Sequence, residues 1–204
     1  LLKYALSLIK KRHYSEWKMR EKLYAKEANK KAVDKIIKML KSSDLLDDNA
    51  LSEDLKCYLE EKNYGKNKIL NYLNNEGIFD ETLKKLKFPS SFEKKKAINN
   101  VPKLEKRYSK YPYEQKRQHI YAALINLGFD NDIAMEALNK IKSPIEKEEN
   151  AKLDKDFPKV MQKYARKYEG RELKEKVIAS LRNKGYKMKD ILRKVEIYNG
   201  ENDF

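Results

Sequence analysis

Cysteine is almost missing from this chain: Cys57 stands alone among 204 residues. It can build neither an internal disulfide framework nor a cysteine-based metal site. Its neighbours Leu55, Tyr58 and Leu59 follow a helical pattern, so the thiol is expected to be buried or half-buried. Histidine is scarce too. His13 and His119 each lack a second ligand at helical spacing, and no His-Glu-x-x-His occurs, which excludes the common zinc sites. Both are expected to be structural, at the surface or half-buried. With six glycines and no Gly-rich loop, the backbone device that cradles a nucleotide phosphate is lacking. ATPase and Rossmann readings fail on that ground, and no cofactor is expected. No apolar run approaches transmembrane length. The apolar opening is broken by Lys3 and Lys10, unlike a secretory signal, so a cytoplasmic protein with no membrane partner is expected. The first residue is Leu1, not Met, and part of an N-terminus is expected to precede it.

Hydrophobic residues make up 40% of the chain and charged residues 39%, a balance that favours several small cores over one deep one. Fourteen tyrosines against one tryptophan and six phenylalanines fit thin cores, because tyrosine buries its ring and keeps its hydroxyl near water. Few glycines and prolines among abundant Lys, Glu, Leu and Ala read as mostly helix. The formal net charge is +15. Residues 1–50 and residues 151–204 each carry an excess of six positive charges, whereas the middle hundred residues are nearly neutral. Two basic poles suit an anionic partner, either nucleic acid or an acidic assembly.

One pattern organises the chain. Ile69 and Leu73 fall four apart on one side of a helix. Gly77 then ends it in the left-handed conformation that glycine adopts cheaply, and Ile78 folds back on the last turn. The pattern returns as Ile120, Leu124, Gly128, Phe129 and as Val177, Leu181, Gly185, Tyr186. A weaker copy runs Ile36, Leu40, Asp44, Leu45. Irregular spacing of such copies indicates repeated helical units with variable connections.

The expected fold is all-α, with tandem three-helix repeats forming an elongated or curved array. The repeats are expected at 1–48, 49–87, 92–143 and 145–200, the last with a basic surface. In the first, residues 2–12 form one helix, Ser15 caps a second carrying Trp17, Met19 and Leu23, and residues 32–40 build a third. Trp17 reads as a core anchor. Asp47, Asp48 or Asn49 caps the helix that opens the second repeat, whose closing helix runs Thr82 to Leu86. Lys87 to Ser91 is the best linker. Pro102 is expected to open a helix, and Tyr111-Pro112-Tyr113 to correspond to Asn63-Tyr64-Gly65. Lys142-Ser143-Pro144 closes the third repeat. Residues 145–155 either extend the next helix or tether it, and Asp156-Phe157-Pro158 resembles a helix opening. Glu201 to Phe204 should fray. The junctions at Pro89 and Pro144 are expected to allow some motion.

Chemistry is hard to find. Asp47, Asp48, Glu53 and Asp54 form the densest acidic cluster, and converging carboxylates can serve metal-assisted phosphoryl chemistry. Capping by Asp47 or Asp48, with Glu53 and Asp54 near the positive end of the helix dipole, explains them better. Glu148 and Glu149 read as solvated charge. No catalytic or metal-binding residue is assigned. The cations carry more information. Lys10, Lys11 and Arg12 end the first helix, and Lys18, Arg20 and Lys22 extend that pole. At the other end stand Arg166, Lys167, Arg171, Lys174, Lys176, Arg182, Lys184, Lys187, Lys189 and Arg193, interleaved with Tyr164, Tyr168 and Tyr186. Spaced cations suit phosphate-contacting grooves, and aromatic faces can stack bases. Solvation of exposed helix faces is the plainer use of the same residues.

Residues 2–86 carry an ordered set of motifs: Arg12-His13-Tyr14-Ser15, Met19, Lys22-Leu23, Ile36, Leu40, Leu45, Asp47-Asp48, Ala50, Tyr64-Gly65, Ile69, Leu73 and Gly77-Ile78. Together they resemble the RecX family, regulators of the RecA recombinase, and residues 92–196 look like divergent copies of the same repeat. Met19 stands where the family often has Leu, and Glu27-Ala28 where it usually has Lys-Gly. The resemblance implies tandem three-helix units without catalytic activity. It also implies binding to RecA and its nucleoprotein filament along the groove, direct contact with DNA, and modulation, chiefly inhibition, of filament assembly, ATP hydrolysis and strand exchange. Arg12 and Ser15 match motif positions and are assigned to fold and capping. A monomer is expected. The residues alone leave two other readings open: a nucleic-acid-binding helical protein acting without RecA, and a structural adaptor for another acidic protein.

Overall fold

The computed structural model describes residues 1–26, 28–142 and 145–202, with side chains described to Tyr198. Among the described residues the chain forms twelve α-helices and no strand. Taken three at a time they are α1 (Leu2–Ile9), α2 (Glu16–Tyr24) and α3 (Lys30–Ser42); α4 (Asp48–Glu61), α5 (Lys66–Asn75) and α6 (Asp80–Lys85); α7 (Ser90–Arg107), α8 (Tyr113–Asn126) and α9 (Asn131–Leu138); α10 (Glu146–Ala165), α11 (Gly170–Asn183) and α12 (Met188–Asn202). The architecture is all-α and follows a tandem three-helix pattern. Expectations that fall on Glu27, Ser143, Pro144 and Phe204 lie outside the described residues.

The middle helix of each triplet anchors its core. Met19 and Leu23 of α2, Ile69 and Leu73 of α5, Ile120 and Leu124 of α8, and Val177 and Leu181 of α11 are all fully buried. Each such side chain contributes roughly 1.5–3 kcal/mol on burial. The first triplet's copy of the organising pattern is therefore Met19-Leu23, not Ile36-Leu40, which belong to α3. Asp44 does adopt the left-handed conformation (φ 53°), but the buried residue behind it is Leu46; Leu45 is exposed. Small cores of described residues include one on α1–α3, one on Leu59, Ile69, Leu73, Ile78 and Leu86, and one on α10–α12.

Two prolines behave differently from expectation. Pro102 lies inside α7, which already begins at Ser90, and Pro158 lies inside α10, which runs unbroken from Glu146. Each removes one helical hydrogen bond, and flanking turns with buried Val101, Leu104, Phe157 and Val160 hold the helix across it. Residues 146–155 are thus helix and not a tether. The short third helix of the second triplet is Asp80–Lys85, and Lys66 of α5 matches Tyr113 of α8 as first helical residue, so Tyr64 pairs with Tyr111. Cys57 is exposed, on the outward side of α4. Trp17 is 47% exposed and meets Phe79 edge-on at 5.9 Å; its indole covers a glycine instead of filling a core.

The chain clusters into two compact units, Leu1–Asn99 with Ile125–Ala134, and Asn100–Leu124 with Met135–Phe204. This division cuts through the third triplet. The reason is local: the turn between α8 and α9 packs on the start of α5, within the first unit.

Candidate functional site

The starts of the first three middle helices, α2, α5 and α8, are covered by the next triplet in the same two-part way. At α2, Ser15 caps its own helix by accepting from Lys18 N at 3.1 Å and donates to Glu76 O at 2.5 Å. Glu16 N donates to Asp48 Oδ1 of α4 at 2.8 Å. At α5, Lys66 N donates to Glu93 Oε2 of α7 at 2.9 Å, while Gly65 N donates to Leu127 O and Asn67 N to Gly128 O. At α8, Tyr113 N donates to Glu149 Oε2 of α10 at 2.9 Å. A carboxylate near the start of each following triplet therefore satisfies a helix N-terminus whose N–H groups have no partner of their own. Asp47 caps α4 itself, accepting from Asn49 N and Ala50 N, so the two adjacent aspartates divide the work between two helices. Burial raises the Asp48 carboxyl above the ordinary aspartate value, against the lowering effect of its bond from Glu16 N.

The second part is the glycine that follows each middle helix. Gly77, Gly128 and Gly185 have φ of 80°, 91° and 91°, as a left-handed cap requires. They are also contact points. A Cβ on Gly77 would meet Trp17 at 2.7 Å and Ser15 at 2.9 Å; on Gly128, Lys68 N at 2.3 Å; on Gly185, Gln115 N at 3.0 Å. Each glycine thus presses against the first turn of the preceding middle helix.

A buried ion cluster supports the second of these contacts. Lys96, 2% exposed, places Nζ 2.5 Å from Glu93 Oε1 and 3.2 Å from Glu60 Oε1. Lys152 repeats the device one triplet later, bonding Glu149 and Tyr111 O. Glu149 is therefore a capping group and not solvated charge. The signal in the sequence is Glu-x-x-Lys early in a triplet's first helix, at 93–96 and 149–152.

The N-terminal cations divide. Arg12 and Lys18 both pair with Glu76, at 3.4 and 3.0 Å. Arg20 pairs with Glu16 and Asp34. These three tie elements together and are only partly available to a partner. Lys10, Lys11 and Lys22 are exposed and make no ion pair among the described residues. At the other end Lys184 pairs with Asp156 at 2.9 Å, Arg171 with Glu175 at 2.9 Å, and Arg193 reaches Asp190 and Asn150. Arg166, Lys167, Lys174, Lys176, Arg182, Lys187 and Lys189 are exposed without an ion pair among the described residues. Tyr186 is buried and donates to Asp156; burial and Asp156 push its phenol well above the usual value, so it is no stacking platform. Tyr164 and Tyr168 are half-buried, 6.3 Å apart. His119 is half-buried too, stacked on Tyr108 at 5.2 Å.

Among the described residues no group of three or more His, Cys, Asp or Glu could hold a metal ion, and no helix is long and apolar enough to cross a membrane. No protein-family model matches the chain. It is, however, 31% identical over 189 residues to the Regulatory protein RecX of Streptococcus thermophilus, spanning 89% of this chain and 71% of that one. The chain belongs to the RecX family. The Regulatory protein RecX of Staphylococcus haemolyticus is 37% identical over 109 residues, 52% of this chain and 39% of that one. The fold agrees: the crystal structure of RecX from Lactobacillus salivarius superposes with a TM-score of 0.62 at 22% identity, over 68% of this chain and 92% of that chain. A second RecX crystal structure gives 0.60 at 20% identity, over 68% and 70%. As a member of a family of regulatory proteins, this RecX protein is not an enzyme.

Proposed function

We propose that this RecX protein is a noncatalytic regulator that binds the RecA recombinase or its filament on DNA, along the filament groove, and inhibits filament assembly, ATP hydrolysis and strand exchange. The observation that carries the reading is family membership at 31% identity over 189 residues. Seven candidate cations of the fourth triplet that are exposed without an ion pair among the described residues support an acidic or phosphate-bearing partner, since unpaired surface cations steer and hold anions. The four repeats follow the expected divisions 1–48, 49–87, 92–143 and 145–200 except that α4 already begins at Asp48, α7 at Ser90, and α12 runs to Asn202, and the protein acts as a cytoplasmic monomer. Its partner surface is Arg166, Lys167, Lys174, Lys176, Arg182, Lys187 and Lys189, with Lys10, Lys11 and Lys22 as a second, smaller group.

The test is purified protein added to RecA, single-stranded DNA and ATP, following filament assembly and ATP turnover together. Both signals should fall as the protein is added. No binding and no change in either, at physiological salt and excess protein, rules the reading out. A second reading, nucleic-acid binding without RecA, draws on the same cations; tight binding to naked DNA with a steep salt dependence and no effect on RecA would favour it.

A further inference from the structure

One face of the second repeat lays cations on tyrosine rings. Lys62 Nζ stands 3.9 Å over the Tyr58 ring and donates to its hydroxyl at 2.5 Å. Lys68 Nζ stands 4.3 Å over the Tyr64 ring. Tyr58 and Lys62 are four apart at the end of α4, and Lys68 and Tyr72 are four apart on α5, so each pair shares a side of its helix. Tyr72 lies within electrostatic reach of both Lys62 and Arg12. Arg12, over the Tyr14 ring at 4.4 Å and paired with Glu76, closes the strip. The bond to Tyr58 holds the Lys62 ammonium above the ordinary lysine value, with Tyr64 and Tyr72 adding to the effect.

Residues 62–75 contain no carboxylate. Just before them Glu60 is bound to Lys96 and Glu61 is exposed; just after, Glu76 is held by Arg12 and Lys18. The second core takes in Tyr64 but neither Tyr58 nor Tyr72. Those two rings are 51% and 39% exposed, and neither stands near an end of the chain. Packing therefore accounts for Tyr64 and leaves Tyr58 and Tyr72 without a structural use.

We propose that this strip binds single-stranded nucleic acid, with bases stacked on Tyr58 and Tyr72 and phosphates held by Lys62 and Lys68. A nucleotide offers a flat apolar face and, beside it, an anion, and the strip alternates the groups that answer them. A cation over an exposed ring is a weak contact, whereas a stacked base holds the ring more firmly. The lysines can therefore leave the rings for phosphate at little loss. Exposed Asn71 and Asn75, beside Tyr72 on α5, add amides that can pair with base edges. A duplex keeps its bases stacked on one another, and an acidic protein surface would answer the lysines alone. The inference does not rest on the recombinase reading, and apart from Arg12 it lies outside the candidate cations at the two poles.

Anisotropy titrations of the full chain without RecA test it. The labelled probes are oligothymidylate, a base-free deoxyribose phosphate oligomer of the same length, and duplex DNA. Oligothymidylate should bind at least about fivefold more tightly than either of the others. Tyr58→Ala/Tyr72→Ala should lose at least about fivefold in oligothymidylate affinity, with its salt slope and circular dichroism unchanged. Lys62→Gln/Lys68→Gln should make the salt slope shallower by about 1.4. Equal binding of oligothymidylate and the base-free oligomer needs no variant to observe, and it overturns the proposal by assigning the contact to phosphate alone. Duplex bound as tightly as oligothymidylate, undiminished binding by the tyrosine variant, or an unchanged slope in the lysine variant overturns it too. So does an unmodified protein that leaves oligothymidylate free. Each of these results leaves the RecA reading standing, because RecA is absent from the titration, and failure of the RecA reading leaves this one standing.

Discussion

The first and last quarters of the chain carry the same formal excess of six positive charges, yet the structure uses them differently. In the first repeat, Arg12, Lys18 and Arg20 are committed to Glu76, Glu16 and Asp34, and the start of the middle helix is closed by Asp48 and Gly77. In the fourth, Lys184 is held by Asp156 while Arg182, Lys187 and Lys189 beside it face solvent without an ion pair among the described residues, and α11 has no side-chain cap. Charge counted along a sequence is not charge available to a partner. The first repeat spends Arg12 and Lys18 on Glu76 of its neighbour, while Lys10, Lys11 and Lys22 carry no ion pair among the described residues.

The contrast breaks most visibly at the glycines. Gly128→Val forces a side chain into Lys68 at a positive φ, and should cost about 2–5 kcal/mol from crowding and left-handed strain together. Gly170→Val meets open space and should cost only the strain, about 1–2 kcal/mol. Urea melts of the two variants measure the difference. Equal losses would show that the glycines act as helix caps alone and that no stacking contact distinguishes the repeats.

A smaller effect separates the carboxylates. Asp48→Ala and Glu149→Ala each uncover a helix N-terminus and should cost about 0.5–2 kcal/mol. Glu172→Ala, in the first turn of open α11, should stay within about 0.5 kcal/mol. Asp48→Asn keeps an acceptor for Glu16 N and relieves a half-buried charge, so it should cost less than the alanine. Thermal melts that rank Glu172→Ala with the other two would undo the claim that α11 is uncovered.

Arg20→Ala breaks two partly exposed ion pairs and should cost about 1 kcal/mol or less, with filament binding unchanged. The smallest expected effect is in pH dependence. Burial opposes ionisation of Glu16, but bonds from Lys41 and Arg20 outweigh it and hold the carboxyl below the ordinary value of 4.5. Its contribution is therefore fully present above that value and is lost as pH falls through the lower folded value. Glu16→Gln should flatten the acid loss of stability in that range; an unchanged slope would contradict the assignment. Asp48 acts with the opposite sign, since its raised folded value makes its ionisation cost stability, and that cost is relieved as pH falls through it.

Much of the fold was legible because helical periodicity and left-handed caps are local. Ile69, Leu73, Gly77 and Ile78 declare a helix, its end and its buried face without reference to anything distant. In the first repeat the sequence has Glu27 where the other copies have glycine, so Ile36 and Leu40 of α3, also buried, stand in the pattern for Met19 and Leu23. Pro102 and Pro158 read as helix starts because a local rule cannot see the packing that carries a helix past a proline. The second role of the glycines depends on what the preceding repeat places against them, as Trp17 and Ser15 do at Gly77. Glu149 reads as solvated charge for the same reason, because its partner Tyr113 lies 36 residues away. Among the basic residues, only the structure separates Lys187 and Lys189 from Lys184, which is held by Asp156.

The most direct measurement is binding of two variants to RecA filament over a range of salt. One reverses Arg182, Lys187 and Lys189 to Glu, and the other replaces Arg12, Lys18 and Arg20 with Ala. The first should bind at least tenfold more weakly, with a shallower salt dependence and unchanged helicity, while the second should bind as the unmodified protein does once its lower stability is allowed for. Undiminished binding by the first variant, or an equal loss by both, would contradict the view that Arg182, Lys187 and Lys189 serve the partner while Arg12, Lys18 and Arg20 are spent inside the protein.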